Sequence, residues 1–201
     1  GVDTSLRALL ADEPATLYAS EALYNLASND AARERLLTAR VLRSLGVLLG
    51  DANAEALLNL SINDATIERL VVTDGVHRLL NARLADARAT PGTKDYAAEA
   101  LYNLSINDAT RERLVTDGVH RSLSELLADA TATPGTKQNA SVALRNLSRN
   151  AATRERLVTD GVHESLRAFR RDPNATSLAK SYADAAINTL EQKQVGYCTV
   201  S

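Results

Sequence analysis

The sequence predicts an all-α fold, an α-solenoid built from short helical repeats. Three observations predict this fold. A phrase of about 43 residues recurs along the 201-residue chain, and such a period is typical of helical solenoids. Alanine and leucine dominate the apolar residues, while aromatic residues make up only 3%, which favours closely packed helices over a sheet. Inside each copy, apolar residues such as Leu123, Leu126 and Leu127 stand at helical spacing.

Glycines mark the repeat most clearly. Gly75, Gly118 and Gly161 each begin a Gly-Val-His segment and stand 43 residues apart. The two copies that begin at Gly75 and Gly118 are identical at 31 of 43 positions. Arg40 occupies the corresponding point of an earlier copy, only 35 residues before Gly75. We therefore expect that earlier copy to be shortened at the turn between its second and third helices.

The repeats predict one domain, followed by a short tail. The expected units are 1–39 (a partial repeat), 40–74 (the shortened repeat), 75–117, 118–160 and 161–192 (a C-terminal partial repeat), within a domain spanning 1–192, with 193–201 as the tail.

Each full unit is predicted to contain a short first helix and two longer helices. Gly118 separates the first helix from the second, because glycine tolerates the positive φ of a sharp corner. Pro134-Gly135 indicates a loop, and Thr136 is then expected to cap the third helix. Asn150 is expected near the cap of the following short helix.

Composition excludes several classes of function. The 23 basic and 25 acidic residues give a net charge of −2, whereas nucleic-acid-binding domains show a basic excess. A single cysteine cannot form an internal disulfide, and no apolar run approaches the roughly 20 residues of a membrane span. No glycine-rich phosphate loop or catalytic group is present. The sequence thus predicts neither an enzyme nor a cofactor.

The repeated histidines and arginines have structural interpretations. His77, His120 and His163 recur with the repeat; helix layers roughly 10 Å apart keep them too far from one another to share a metal ion. We expect them to pack or cap at the start of the second helices. For the pairs Arg111/Arg113 and Arg154/Arg156, the expectation is solvated charge and surface ion pairs.

The phrases "ALYNLSINDATRERLVTDGVH" (100–120) and "ASVALRNLS" (140–148) resemble armadillo repeats. The order of short first helix, glycine corner and second helix is similar to that family, as is an asparagine within Ala-Leu-x-Asn-Leu on the third helix. The resemblance covers nearly all of 1–192 and implies a right-handed solenoid of roughly four to five repeats. Short sequence motifs within the repeats are most similar to the armadillo regions of plant-type U-box ubiquitin ligases and of vacuolar armadillo scaffolds.

The resemblance implies that one asparagine per repeat lines the concave side of the third helices and holds the main chain of an extended peptide. These residues are Asn25, Asn59, Asn103, Asn146 and Asn188. A carboxamide both donates and accepts hydrogen bonds, so it matches a peptide group. The alternative is structural: the same asparagines bond neighbouring third helices to one another.

Acidic residues stand four positions before four of the five asparagines, on the same helical face, and Val142 precedes Asn146 at this position. The acidic residues are Glu21, Glu55, Glu99 and Asp184, with Tyr18 and Tyr96 three residues before two of them. Nuclear-import adaptors of the armadillo family carry tryptophan here, and this chain has no tryptophan. The acidic row indicates a peptide containing lysine or arginine; the alternative is a solvated face.

The sequence therefore predicts a non-enzymatic, cytoplasmic interaction module that binds an extended, basic peptide. Two alternatives stay open. Cys198-Thr-Val-Ser matches a prenylation pattern, which would make the protein a membrane-tethered scaffold at the membrane periphery; membrane contact is expected only if Cys198 is lipidated. The chain could instead be the substrate-binding region of a multidomain ubiquitin ligase.

Overall fold

A computed structural model describes residues 75–192 and five earlier positions, 58, 61, 67, 68 and 71. Residues 75–192 form helices and short connections only. The helices are α1 (Val76–Ala85), α2 (Pro91–Ile106), α3 (Asp108–Thr116), α4 (Val119–Ala128), α5 (Pro134–Ser148), α6 (Ala151–Thr159), α7 (Val162–Arg170) and α8 (Ser177–Glu191). None of these helices is long and apolar enough to cross a membrane.

The helices stack in two rows. The third helices α2, α5 and α8 pack side by side in one row, and the second helices α1, α4 and α7 pack side by side in the other. Each second helix also packs against the third helix of its own repeat, and the short first helices α3 and α6 join one repeat to the next. Such stacking of successive units confirms the predicted all-α solenoid.

Leucine and alanine fill the space between the rows. Leu101 and Leu144 stand at the same point of successive third helices and are fully buried, as are Ala97 and Ala140. Burial of each leucine side chain contributes roughly 1.5–3 kcal/mol, and the small alanines let the helix backbones approach closely. The apolar residues that stand at helical spacing in the sequence therefore form the core of the solenoid.

The predicted glycine corners are confirmed. Gly75, Gly118 and Gly161 have φ angles of 65°, 82° and 78°, and they are the only residues with positive φ among those described. Each lies immediately before a second helix. The left-handed conformation turns the chain from the short helix into the next layer.

Replacing Gly118 with alanine is expected to lower the free energy of unfolding by about 1–2 kcal/mol, the cost of left-handed backbone for an L-residue. No atom lies within 4 Å of the added Cβ, so the expected loss of stability comes from backbone strain at the positive φ and not from a steric clash. Gly135→Ala is the matched control, because its Cβ would meet only ordinary contacts at 3.5 Å and 3.8 Å. Urea titration of both variants measures the difference; equal stabilities would contradict the assignment of strain to Gly118.

The cap of the third helix lies three residues earlier than predicted. Thr133, not Thr136, is the N-cap of α5, and its side chain accepts a hydrogen bond from the Thr136 backbone N–H at 3.0 Å. Pro134 and Gly135 belong to the first turn rather than to a loop, because proline suits a position whose N–H has no helical partner. Asn150 caps α6 as predicted, accepting from the Ala152 N–H at 2.8 Å.

Two acidic residues of α8 stand at positions where the preceding third helix, α5, carries small buried residues. Counted from the N-caps, Asp184 corresponds to Ser141, and Glu191 corresponds to Ser148; both serines are buried. Glu191 instead accepts hydrogen bonds from two side chains of α7, His163 at 3.0 Å and Arg167 at 2.7 Å.

Candidate functional site

The repeated asparagines connect neighbouring third helices. Asn103 Nδ2 donates to Ser61 Oγ at 3.2 Å, and Asn146 Nδ2 donates to Ser105 Oγ at 3.1 Å. Each serine belongs to the preceding repeat, about 42 residues earlier in the chain. One N–H of each carboxamide therefore holds the stack together, which is the structural alternative stated above.

The serines also fix the orientation of the carboxamides. Ser61 Oγ donates to the Leu58 carbonyl at 2.6 Å, and Ser105 Oγ donates to the Tyr102 carbonyl at 2.6 Å. A hydroxyl has one proton, so each serine must accept from the asparagine, and the atom facing it is nitrogen. Within the described chain, Oδ1 of Asn103 and of Asn146 accepts no hydrogen bond, and neither is a sealed buried atom. The carboxamide oxygens on α2 and α5 are thus left for another molecule, although Asn146 as a whole is only 5% exposed.

We call the solvent-facing side of α2, α5 and α8 the third-helix face; Glu99, Asn103, Val142, Asn146 and Ala185 lie on it. Glu99 is half-buried, one turn before Asn103, and pairs with no cation among the described residues. Its equivalents in the next two repeats are Val142 and Ala185. Over 75–192 the predicted acidic row therefore consists of a single carboxylate on this face.

In α8 the predicted site residues lie one position out of register. Asn146 is thirteen residues after the N-cap Thr133, and thirteen residues after the N-cap Thr176 is Thr189, not Asn188. Asn188 is exposed, and the Thr189 hydroxyl donates to the Ala185 carbonyl at 2.8 Å. The core sets this register, because apolar residues of α8 must stay buried.

Asp184 shares that displacement. It pairs with Arg170 of α7 at 3.1 Å, so it joins the last two helices and does not stand beside Glu99. The remaining predicted site residues fall outside the described part of the chain: Tyr18, Glu21, Asn25, Glu55, Asn59 and Cys198. Their roles stay predictions, and so does tethering through Cys198.

Sequence reasoning overlooked one aromatic residue. Tyr96 and Tyr182 both lie six residues after an N-cap threonine, so they are equivalent. The Arg145 guanidinium lies 5.9 Å from the centre of the Tyr182 ring, within the range of a cation–π interaction. Counting from the threonine caps, rather than from the asparagines, would have found Tyr182.

Arg111 caps a helix end and forms an ion pair with Asp108, so the expected ion pair is present, but its side chain is buried and not solvated. Its Nε donates to the Ser105 carbonyl at 2.9 Å and its Nη2 to the Ile106 carbonyl at 2.6 Å. These carbonyls end α2 and have no partner within the helix. Arg113, two residues on, also forms an ion pair, with Asp117 at 2.9 Å, and its side chain is 44% exposed.

The next repeat reproduces this cap. Arg154 Nε donates to the Ser148 carbonyl at 2.9 Å, and Arg154 Nη2 donates to the Arg149 carbonyl at 3.1 Å. Thr153 Oγ1 donates to the Leu147 carbonyl at 2.9 Å. The repeated Thr-Arg dipeptide is thus the C-terminal cap of the preceding third helix.

The three histidines lie at the start of the second helices, as predicted, and two of them, His77 and His120, join successive repeats. His77 Nε2 donates to Asp117 at 2.6 Å, and His120 Nε2 donates to Asp160 at 2.7 Å. The Nδ1 atom of each ring is buried without a partner. Burial lowers the pKa of both imidazoles and outweighs the opposing effect of the aspartates.

The aspartates of these pairs stay ionised. Burial raises the pKa of Asp117, but hydrogen bonds from His77 and Arg78 outweigh it and hold the pKa below its usual value. Hydrogen bonds from Arg121 and His120 lower the pKa of Asp160 to about 2. No cluster of three His, Cys, Asp or Glu side chains within the described residues could hold a metal ion.

No protein-family model matches the sequence, and no curated protein matches it. Solved structures do match. A designed armadillo repeat protein is 25% identical with a TM-score of 0.76, over 92% of this chain and 80% of that chain. An engineered protein from the Northeast Structural Genomics Consortium is 25% identical with a TM-score of 0.77, over 93% and 80%.

A third match is to computationally designed armadillo repeat proteins for modular peptide recognition. It is 24% identical with a TM-score of 0.78, over 92% of this chain and 80% of that chain. The similarity to U-box ligases and vacuolar scaffolds has no support from these matches and stays a prediction. The structural likenesses, together with the two rows of stacked helices, show that the chain has the armadillo solenoid fold.

Proposed function

We propose that the protein binds an extended segment of a partner protein along the third-helix face, without catalysing a reaction. The unused Oδ1 atoms of Asn103 and Asn146 carry this proposal. An extended main chain offers N–H groups at regular intervals, and these two acceptors lie on the neighbouring third helices α2 and α5. Each Nδ2 also has a second N–H, which can donate to a carbonyl of the same segment.

The spacing of the helices suits such a segment. Neighbouring third helices pack roughly 8–10 Å apart, and an extended chain rises about 3.3 Å per residue. One asparagine therefore meets about every third residue of the segment. The half-buried carboxylate of Glu99 would contact a lysine or arginine of the segment at one of these points.

The structural likenesses support the same function. Computationally designed proteins with this fold serve modular peptide recognition. Outside the third-helix face, many charged groups are used within the fold: Lys94 pairs with Asp129 at 2.9 Å, and Lys137 pairs with Asp172 at 3.6 Å. Polar groups that the fold leaves unused are what a binding surface requires.

Selection of random twelve-residue peptides on phage against the full chain tests the proposal. Val142 lies at the centre of the third-helix face, one turn before Asn146, and is half-buried. The variant Val142→Arg is expected to weaken binding of the selected peptides at least tenfold, because a long charged side chain would obstruct the main-chain path. Fluorescence anisotropy with a labelled selected peptide measures the change.

Glu125→Arg is the matched control, since Glu125 is exposed on the second helix α4 and forms no ion pair within the described chain. Circular dichroism verifies that both variants remain folded. Selected peptides that bind the Val142→Arg variant as tightly as the unmodified protein would refute the proposed binding face.

A further inference from the structure

We propose that the bound segment carries an acidic residue, which docks against Arg145 of α5 and Arg149, the residue that follows α5. This inference rests on the proposed function and names the chemistry of the partner at one repeat. It adds an acidic residue to the basic peptide predicted from the sequence. The partner would instead be an extended protein segment of mixed charge, with an aspartate or glutamate facing this repeat.

The two arginines form one patch. They stand four residues apart, and Arg149, the C-cap residue of α5, keeps helical backbone angles (φ −70°, ψ −26°), so both side chains lie on the same side of the helix. Arg145 is half-buried and Arg149 is exposed. Neither forms an ion pair with a carboxylate of the described chain, whereas Arg121 and Arg156 both pair with Asp160. The patch thus holds two uncompensated positive charges beside the asparagine of the same repeat.

Arg145 is held in place for recognition. Its guanidinium lies 5.9 Å from the centre of the Tyr182 ring on the next third helix. A cation–π contact uses no N–H group of the guanidinium, so these groups remain available to hydrogen-bond acceptors. Those N–H groups match the two oxygens of a carboxylate, and a group already held in position loses less entropy on binding.

The neighbouring Arg111 guanidinium is compensated within the chain. Arg111 pairs with Asp108, whereas Arg145 and Arg149 pair with no carboxylate of the described residues. Charge complementarity at these two arginines therefore favours an acidic occupant of the patch over a basic one.

Glu99 places the opposite charge one repeat earlier. It lies on α2, and the arginine pair lies at the end of the neighbouring third helix α5. A helix spacing of roughly 8–10 Å corresponds to about three residues of extended chain. The segment is therefore expected to carry a basic residue and an acidic residue about three positions apart.

The test compares two double charge reversals in the phage selection and in anisotropy titrations. Arg145→Glu/Arg149→Glu inverts the patch. Arg171→Glu/Lys180→Glu makes the same change of net charge at two cations that also lack ion pairs in the described chain but lie off the third-helix face. Peptides selected on the unmodified protein should contain aspartate or glutamate at one position. They should bind the inverted patch at least tenfold more weakly and the control variant unchanged.

Exchange of that acidic residue for lysine should restore binding to the inverted patch. Selected peptides that contain only basic residues, or that bind Arg145→Glu/Arg149→Glu as well as the unmodified protein, would overturn the inference. In that case, continued sensitivity to Val142→Arg would leave the proposed function intact. Insensitivity to Val142→Arg, or selection of no peptide at all, would remove both.

Discussion

Replacing Arg111 with alanine is expected to lower the free energy of unfolding by about 2–3 kcal/mol. The side chain is only 7% exposed, and its guanidinium satisfies the Ser105 and Ile106 carbonyls at the end of α2. Hydrogen bonds to charged groups contribute roughly 1.5–3 kcal/mol, and carbonyls left buried without a partner add their desolvation cost. Urea denaturation followed by circular dichroism measures the effect.

Arg113 provides the matched control on the same helix. Its side chain is 44% exposed and pairs with Asp117, so Arg113→Ala should cost less than about 1 kcal/mol. Arg111→Lys should recover only part of the loss, because an ammonium group cannot reproduce the two-pronged contact of a guanidinium. Equal costs for Arg111→Ala and Arg113→Ala would contradict the capping role.

Acidification from pH 7.5 to 5.5 is expected to destabilise the protein through His77 and His120. Burial lowers the pKa of both imidazoles in the folded chain, so below about 6.5 the unfolded chain binds more protons. Stability is therefore fully present above that pH and is lost as the pH falls toward the lowered folded values. Each histidine can contribute up to about 1.4 kcal/mol per pH unit inside this window.

The double variant His77→Gln/His120→Gln separates this effect from the titration of other groups. Glutamine Nε2 can still donate to Asp117 and Asp160, but it does not titrate. The carboxylates of these aspartates have lowered pKa values and stay ionised across the range. Urea midpoints of the double variant should change less with pH than those of the unmodified protein. Identical pH dependence of the two proteins would exclude the buried histidines as its cause.

The repeat architecture was predictable because backbone requirements are local. A positive φ at Gly118 needs glycine, and apolar residues at helical spacing have to face a core, so both features recur with the period of the fold. The cap of the third helix was misplaced for a local reason as well. Pro134-Gly135 resembles a loop, yet proline also fits the first turn of a helix, and only the Thr133 contact distinguishes the two.

The candidate site was less predictable because its details depend on neighbouring repeats. No pattern within one repeat shows that the Asn146 N–H is taken by Ser105, which lies 41 residues earlier. Likewise, Asn188 matches the expected sequence motif. Because the adjacent core residues of α8 must be buried, however, Thr189 and not Asn188 lies at the helix position equivalent to Asn146. Contacts between repeats also decide which charges are compensated. Arg121, for example, pairs with Asp160 of the next repeat, whereas Arg145 pairs with no carboxylate of the described residues.

Photo-crosslinking tests the central claim, a partner segment bound along the third-helix face, most directly. Benzoylphenylalanine placed at position 142 lies on that face, and the same group at position 125 lies on the second helices. With a peptide selected on the unmodified protein, irradiation is expected to yield a crosslinked product at position 142 and none at position 125. Crosslinking at position 125 alone, or equal yields at the two positions, would contradict the proposed binding face.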